Sequence, residues 1–158
     1  MAVPANKPVR NDRLLRRLSL TMLFLLLLQY IVGMVVNFWA AVPDQHPGAH
    51  PANYFVGAAQ SVWWALSASG LAPLILHATL GAILGILSVV TLVYGILRRT
   101  RLWVTVTVLG WLGVFSAGFN GASFLNYGED FSSMIMSVAF LVALMAYALG
   151  LYYSKPAS

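Results

Sequence analysis

The chain has 158 residues, 60% of them hydrophobic and 8% charged, with a net charge of +5 and no cysteine. A soluble domain carries about 25% charged residues, so this composition cannot cover a water-facing surface. The lack of cysteine excludes disulfides, thiolate metal centres and iron–sulfur clusters.

In chain order, residues 1–13 read as a cytoplasmic tail with two prolines, ahead of a single transmembrane domain over 14–158. Charge is absent from Leu18 to Val42, and a first span is expected at 18–40. Its apolar core is longer than that of a signal peptide, so it reads as a retained helix. Gln29, Gly33 and Asn37 share one of its faces.

The next segment, "VPDQHPGAHP", should be extended. His46 and His50 have the H-x3-H spacing of helical metal ligands, but each precedes a proline, which disfavours the helical region. With Glu129, and with Asp44 and Asp130 nearby, they offer a nitrogen–oxygen site suited to zinc or copper. A solvated loop with incidental histidines is the competing reading. Residues 53–69 then read as an amphipathic helix on the outer surface. Asn53 is its N-cap, Gly70 its stop, and Phe55, Ala59, Val62, Trp63 and Leu66 fall at helical steps. The Trp63–Trp64 pair would lie at headgroup depth, or the segment would fold over the bundle as a lid.

A second span follows at 73–97, with Pro73 in its first turn and His77, Gly81, Gly85 and Ser88 on one face. A third is expected at 102–122, with Gly110, Gly113, Ala117 and Asn120 or Gly121 aligned, and a fourth at 132–153, with Asp130 as its cap. Small residues at this spacing let membrane helices approach closely. The fold predicted is an all-α, antiparallel four-helix membrane bundle.

Orientation follows from the cations. Lys7, Arg10, Arg13, Arg16, Arg17, Arg98, Arg99, Arg101 and Lys155 all fall at one end of such a bundle, which the positive-inside rule assigns to the cytoplasm. Both termini are then cytoplasmic. The net positive charge reads as membrane topology and anionic-lipid contact, and not as nucleic-acid binding.

The polar residues gather in the outer third. Asn37, His77, Asn120 and Ser133 come from four different helices, Gly81 leaves space beside His77, and the inner two thirds look almost wholly apolar. His77 is expected to face the interior within reach of Asn37, Asn120 or a serine of the last helix. No nucleotide loop, HExxH, GxSxG or intramembrane carboxylate is present, which argues against the corresponding enzymes and against a proton-coupled transporter.

"HATLG", "FNGASFL" and "FSSMIMSVAF" together resemble a group of small four-helix bacterial integral membrane proteins. That resemblance implies the bacterial cytoplasmic membrane and a four-helix fold. "HATLG" alone is similar to the segments that bind haem b in four-helix membrane cytochromes. Those proteins use two histidines on different helices. Here Met134, Met136, His46 or His50 would have to supply the second ligand. Three functions follow: a non-catalytic accessory or lipid-soluble-ligand-binding subunit, a haem b or quinone-interacting electron-transfer subunit, and an outer-face metal-binding protein.

Overall fold

The computed structural model describes residues 13–67 and 70–154. The tail before Arg13, with Lys7 and Arg10, and the end of the chain from Lys155 lie outside the described residues. Five helices follow in order: α1 (Arg13–Trp39), α2 (Tyr54–Ser67), α3 (Ala72–Arg98), α4 (Arg101–Tyr127) and α5 (Asp130–Tyr153). All but α2 are long and apolar enough to cross a membrane. At 1.5 Å per residue, the 27-residue helices reach about 40 Å, against a hydrocarbon core of about 30 Å.

The turns are short and have local causes. Pro73 lies in the first turn of α3, where its fixed φ suits a helix and its missing N–H is not needed. Arg99 ends α3 in the left-handed region, and the Thr100 side chain accepts from the Trp103 N–H to open α4. Gly128 ends α4 at φ +67, a conformation natural to glycine, and its N–H bonds the Phe124 carbonyl. Glu129, and not Asp130, holds the N-cap position of α5, and it makes no side-chain cap bond. Asp130 is the first helical residue, where its charge complements the helix dipole.

Antiparallel connections place the long helices in a ring: α3 between α1 and α4, and α5 between α4 and α1, with α2 leaning on α3 and α4. The tightest seam is α4 on α5. A Cβ on Gly113 would stand 2.7 Å from the Ala139 carbonyl oxygen and the Ala143 nitrogen. One on Gly150 would stand 2.7 Å from Cγ1 of Val106. Small residues thus bring the two backbones together, as the sequence pattern suggests.

At one end, here called the basic end, Arg16 of α1 donates to the carbonyls of Leu151 and Ser154 and to the Ser154 hydroxyl. These lie at the C-terminus of α5, where a cation is favoured. Leu15, Met22, Trp103 and Tyr147 form part of one buried cluster above it. This half is more polar inside than expected, since Ser19, Ser88, Thr91 and Thr107 are all buried. Ser88, Thr91 and Thr107 donate to carbonyls one turn back on their own helices, which satisfies their hydroxyls without partners on other helices.

Large apolar side chains point outward along the whole ring, among them Phe24, Ile31, Ile86, Phe115, Leu141 and Met145. A monomer in water rarely shows so continuous an apolar surface. In a bilayer it is the surface that faces lipid, and the protein is a multi-pass membrane protein.

Candidate functional site

Two polar clusters lie in the half of the molecule away from the arginines. The first joins α1 and α3. Gln29 Nε2 lies 3.2 Å from the backbone oxygen of His77 and 3.2 Å from Nε2 of its ring. The carbonyl settles the orientation of the amide, because only nitrogen can face it as a donor. Nε2 of a neutral His77 therefore accepts, and the ring proton sits on Nδ1.

The fit is reciprocal. His77 packs on the bare backbone of Gly33, where a Cβ would stand 3.0 Å from Cε1. Gln29 packs over Gly81, where a Cβ would stand 3.5 Å from its Nε2. Each helix thus supplies one polar side chain and one glycine notch. Two atoms of the pair, His77 Nδ1 and Gln29 Oε1, are buried without a partner. So are Ser19 Oγ, Trp103 Nε1 and Tyr147 OH in the basic half, but among the described residues only here do a donor and an acceptor lie on two paired side chains.

The other residues expected around His77 are elsewhere. Asn37 is exposed. Asn120 donates to the Ser116 carbonyl of its own helix. The Ser133 carbonyl accepts from the Ser137 hydroxyl within α5. His77 does turn to a neighbouring helix as expected, but its partner is Gln29, one turn deeper than Gly33 and two below Asn37.

The second cluster is the cap formed by residues 43–53 and α2. Asn53 caps α2 as expected, its Oδ1 accepting from the N–H groups of Phe55 and Val56. The helix turns its apolar steps outward, as expected of a segment lying against the outer leaflet, with Phe55, Ala59, Val62 and Trp63 all exposed. Gly57, Ser61, Trp64 and Ala65 are buried, while Phe55 and Trp63 are 75% and 71% exposed. The small face docks on the bundle and the large apolar face is left for lipid. The tryptophan pair is therefore divided, with Trp63 outside and Trp64 inside.

Asn126, in the last turn of α4, anchors this cap and is fully buried. With its amide turned so that every group is paired, its nitrogen donates to Ser61 Oγ at 2.8 Å and to the Gly48 carbonyl at 3.2 Å, and its oxygen accepts from the Ala58 N–H. Ser61 passes a bond on to the Pro47 carbonyl. The backbone is tied in too, since the His50 N–H donates to the Asn126 carbonyl at 2.8 Å. Tyr54 donates to the Phe119 carbonyl at 3.1 Å. Burial pushes its phenol up from the usual tyrosine value, which keeps it a donor.

His46 stacks on Trp64, with ring centroids 4.3 Å apart and planes 10° from parallel. Its Nδ1 lies 3.0 Å from the Pro47 carbonyl and its Nε2 3.0 Å from the Leu125 carbonyl. Both nitrogens are engaged with backbone oxygens. His50 stands at φ +48. Among the described residues, no three histidine or carboxylate side chains gather as a metal site would require, so His46, His50 and Glu129 do not form one cluster.

Haem would need an accessible nitrogen on His77 and a second ligand. Nε2 is taken by Gln29, Nδ1 is packed against the α1 backbone at Gly33, His46 is tied to two carbonyls, and Met134 is 55% exposed. These residues do not fit that group. A groove of about 370 Å³ between α3 and α4 is lined by Gly81, Gly85, Trp111 and Phe115, but not by His77.

Gln29 was legible as a polar residue in a span. Asn126 and Ser61 were missed: each looks like an ordinary polar residue near a helix end, and only the fold brings them together. Comparison with known proteins finds no matching family model, curated protein or solved structure.

Proposed function

We propose that this chain is a non-catalytic subunit of the bacterial cytoplasmic membrane that holds a lipid-soluble ligand at the Gln29–His77 pair. Its arginine end faces the cytoplasm and its α2 cap faces out. The observation that carries the reading is the pair of buried, unpartnered atoms, His77 Nδ1–H and Gln29 Oε1. Leaving such groups unpaired in an apolar medium costs several kcal/mol for each. A molecule offering one acceptor and one donor relieves both. Lipid-soluble compounds with carbonyl and hydroxyl groups, quinones and quinols among them, have that chemistry and arrive through the bilayer.

Among the described residues, no metal cluster forms and no hydroxyl nucleophile is paired with His77, so binding and presentation to another membrane subunit account for the site better than catalysis. Mass spectrometry of molecules extracted from the purified protein tests the proposal. One compound should be enriched over the bulk membrane, and should disappear in Gln29→Leu/His77→Leu while circular dichroism still reports a folded bundle. An unchanged extract from the double variant overturns the reading. The orientation has its own test. Ala5→Cys and Ala157→Cys should resist an impermeant thiol reagent in intact cells, and labelling of either reverses the topology.

A further inference from the structure

His46 is held in a geometry that a neutral imidazole cannot complete. A neutral ring has one N–H and one lone pair, yet both nitrogens lie 3.0 Å from carbonyl oxygens, those of Pro47 and Leu125. One nitrogen of a neutral ring would turn its lone pair on a carbonyl. An imidazolium donates to both. Two further features favour the cation. The Leu125 carbonyl belongs to the last turn of α4, the negative end of that helix dipole. The ring also stacks face to face on Trp64, which attracts a cation to its π surface.

What His46 touches gives the charge a consequence. Trp64 is the centre of a small cluster with Ala65 and Leu74, joined by Val36 of α1, Val42 of the loop, Ala78 of α3 and Leu125 of α4. It is a stopper between three of the long helices, at the end of the bundle where Ala78 follows His77. His46 presses on it from the loop side and pins the loop to α4.

We propose that His46 is a proton-operated clasp. Protonated, it locks the 43–53 loop and the Trp64 stopper onto the end of α4. Neutral, it releases one carbonyl and loosens the cap. Histidine is the side chain whose charge ordinarily changes between pH 5 and 8, so the cap tightens as its surroundings acidify.

Among the described residues, no other charged group supplies the effect. On its own loop the neighbours are Asp44 and His50. α2 presents Trp64 and Ser61 to it. The end of α4 presents the Leu125 carbonyl, with Tyr127 and then Glu129 and Asp130 beyond. Among the described residues, none of the three carboxylates forms an ion pair. The clasp does not depend on the ligand proposed for Gln29–His77.

Hydrogen exchange on the full chain in nanodiscs, corrected for the intrinsic pH dependence of exchange, tests it. The His50 amide, bonded to the Asn126 carbonyl, should be protected about tenfold more at pH 5.5 than at pH 7.5, the scale of one charge-assisted hydrogen bond. His46→Gln should remove that difference, and His50→Gln should keep it. Side-chain ¹⁵N spectra of the unmutated protein decide the matter if a variant misfolds. Both His46 nitrogens should be protonated in the tightened cap and one in the loosened cap. Equal protection at the two pH values overturns the clasp. So does a difference that survives His46→Gln or vanishes in His50→Gln, or a neutral His46 in the tightened cap.

Discussion

A methyl group on Gly33 would stand 3.0 Å from Cε1 of His77 and 3.4 Å from its Nδ1. The glycine is therefore the seat of the imidazole, and the space on α1 is as much a part of the polar pair as Gln29 is.

Gly33→Ala should push His77 away and lengthen its bond to Gln29. Overpacking of this kind costs about 1–3 kcal/mol. Gly81→Ala meets the Gln29 amide at 3.5 Å, an ordinary contact, and should cost much less. Thermal unfolding in one detergent compares the two. Equal losses would mean that the ring is not seated on Gly33.

The α4–α5 seam allows a sharper contrast. Gly113→Ala sets its methyl against backbone atoms of α5, which cannot rotate away, so the helices must part. Gly118, on the same helix, has nothing within 4 Å of a built Cβ. Gly118→Ala should leave the melting temperature unchanged or raise it slightly, since glycine costs about 0.5–1 kcal/mol relative to alanine inside a helix. Gly113→Ala should lower it by several degrees. A harmless Gly113→Ala would show that this seam is looser than its geometry.

The spans and the one-sided arginines were legible because a bilayer demands long charge-free helices and penalises stray charge. Glycine spacing likewise marked a close-packing face on α4, although not that α5 fills it. The crown expected around His77 was only partly legible, because depth along a helix says nothing of rotation about its axis. Asn37, Ser133 and Asn120 lie near the right level, yet Asn120 bonds its own backbone and Asn37 turns outward. The outward stripe of α2 was legible, since at a membrane surface lipid takes the large side chains and the protein takes the small ones; only the inward turn of Trp64 was not. The contacts of His46 were hidden because its partners are backbone carbonyls, which every residue carries and no sequence pattern marks. Those of Asn126 were hidden because they reach backbone groups of Gly48 and Ala58 and a single distant serine, Ser61.

Asn126 gives the last contrast. Its side chain is fully buried and joins α4 to Ser61 of α2 and Gly48 of the loop, whereas Asn120 bonds only the Ser116 carbonyl of its own helix. Asn126→Leu leaves those partners without a mate, at about 1–3 kcal/mol for each buried group left unpaired, and the larger apolar branch has no cavity prepared for it. The damage should be local, because the four long helices hold one another through other contacts. Exchange protection should fall over residues 46–65 and Trp64 should become open to a water-soluble quencher, while the seam of α4 and α5 keeps its protection. Asn120→Leu should do neither. If both variants leave the cap equally protected, Asn126 is not its anchor, and the stacking of His46 on Trp64 must hold the loop by itself.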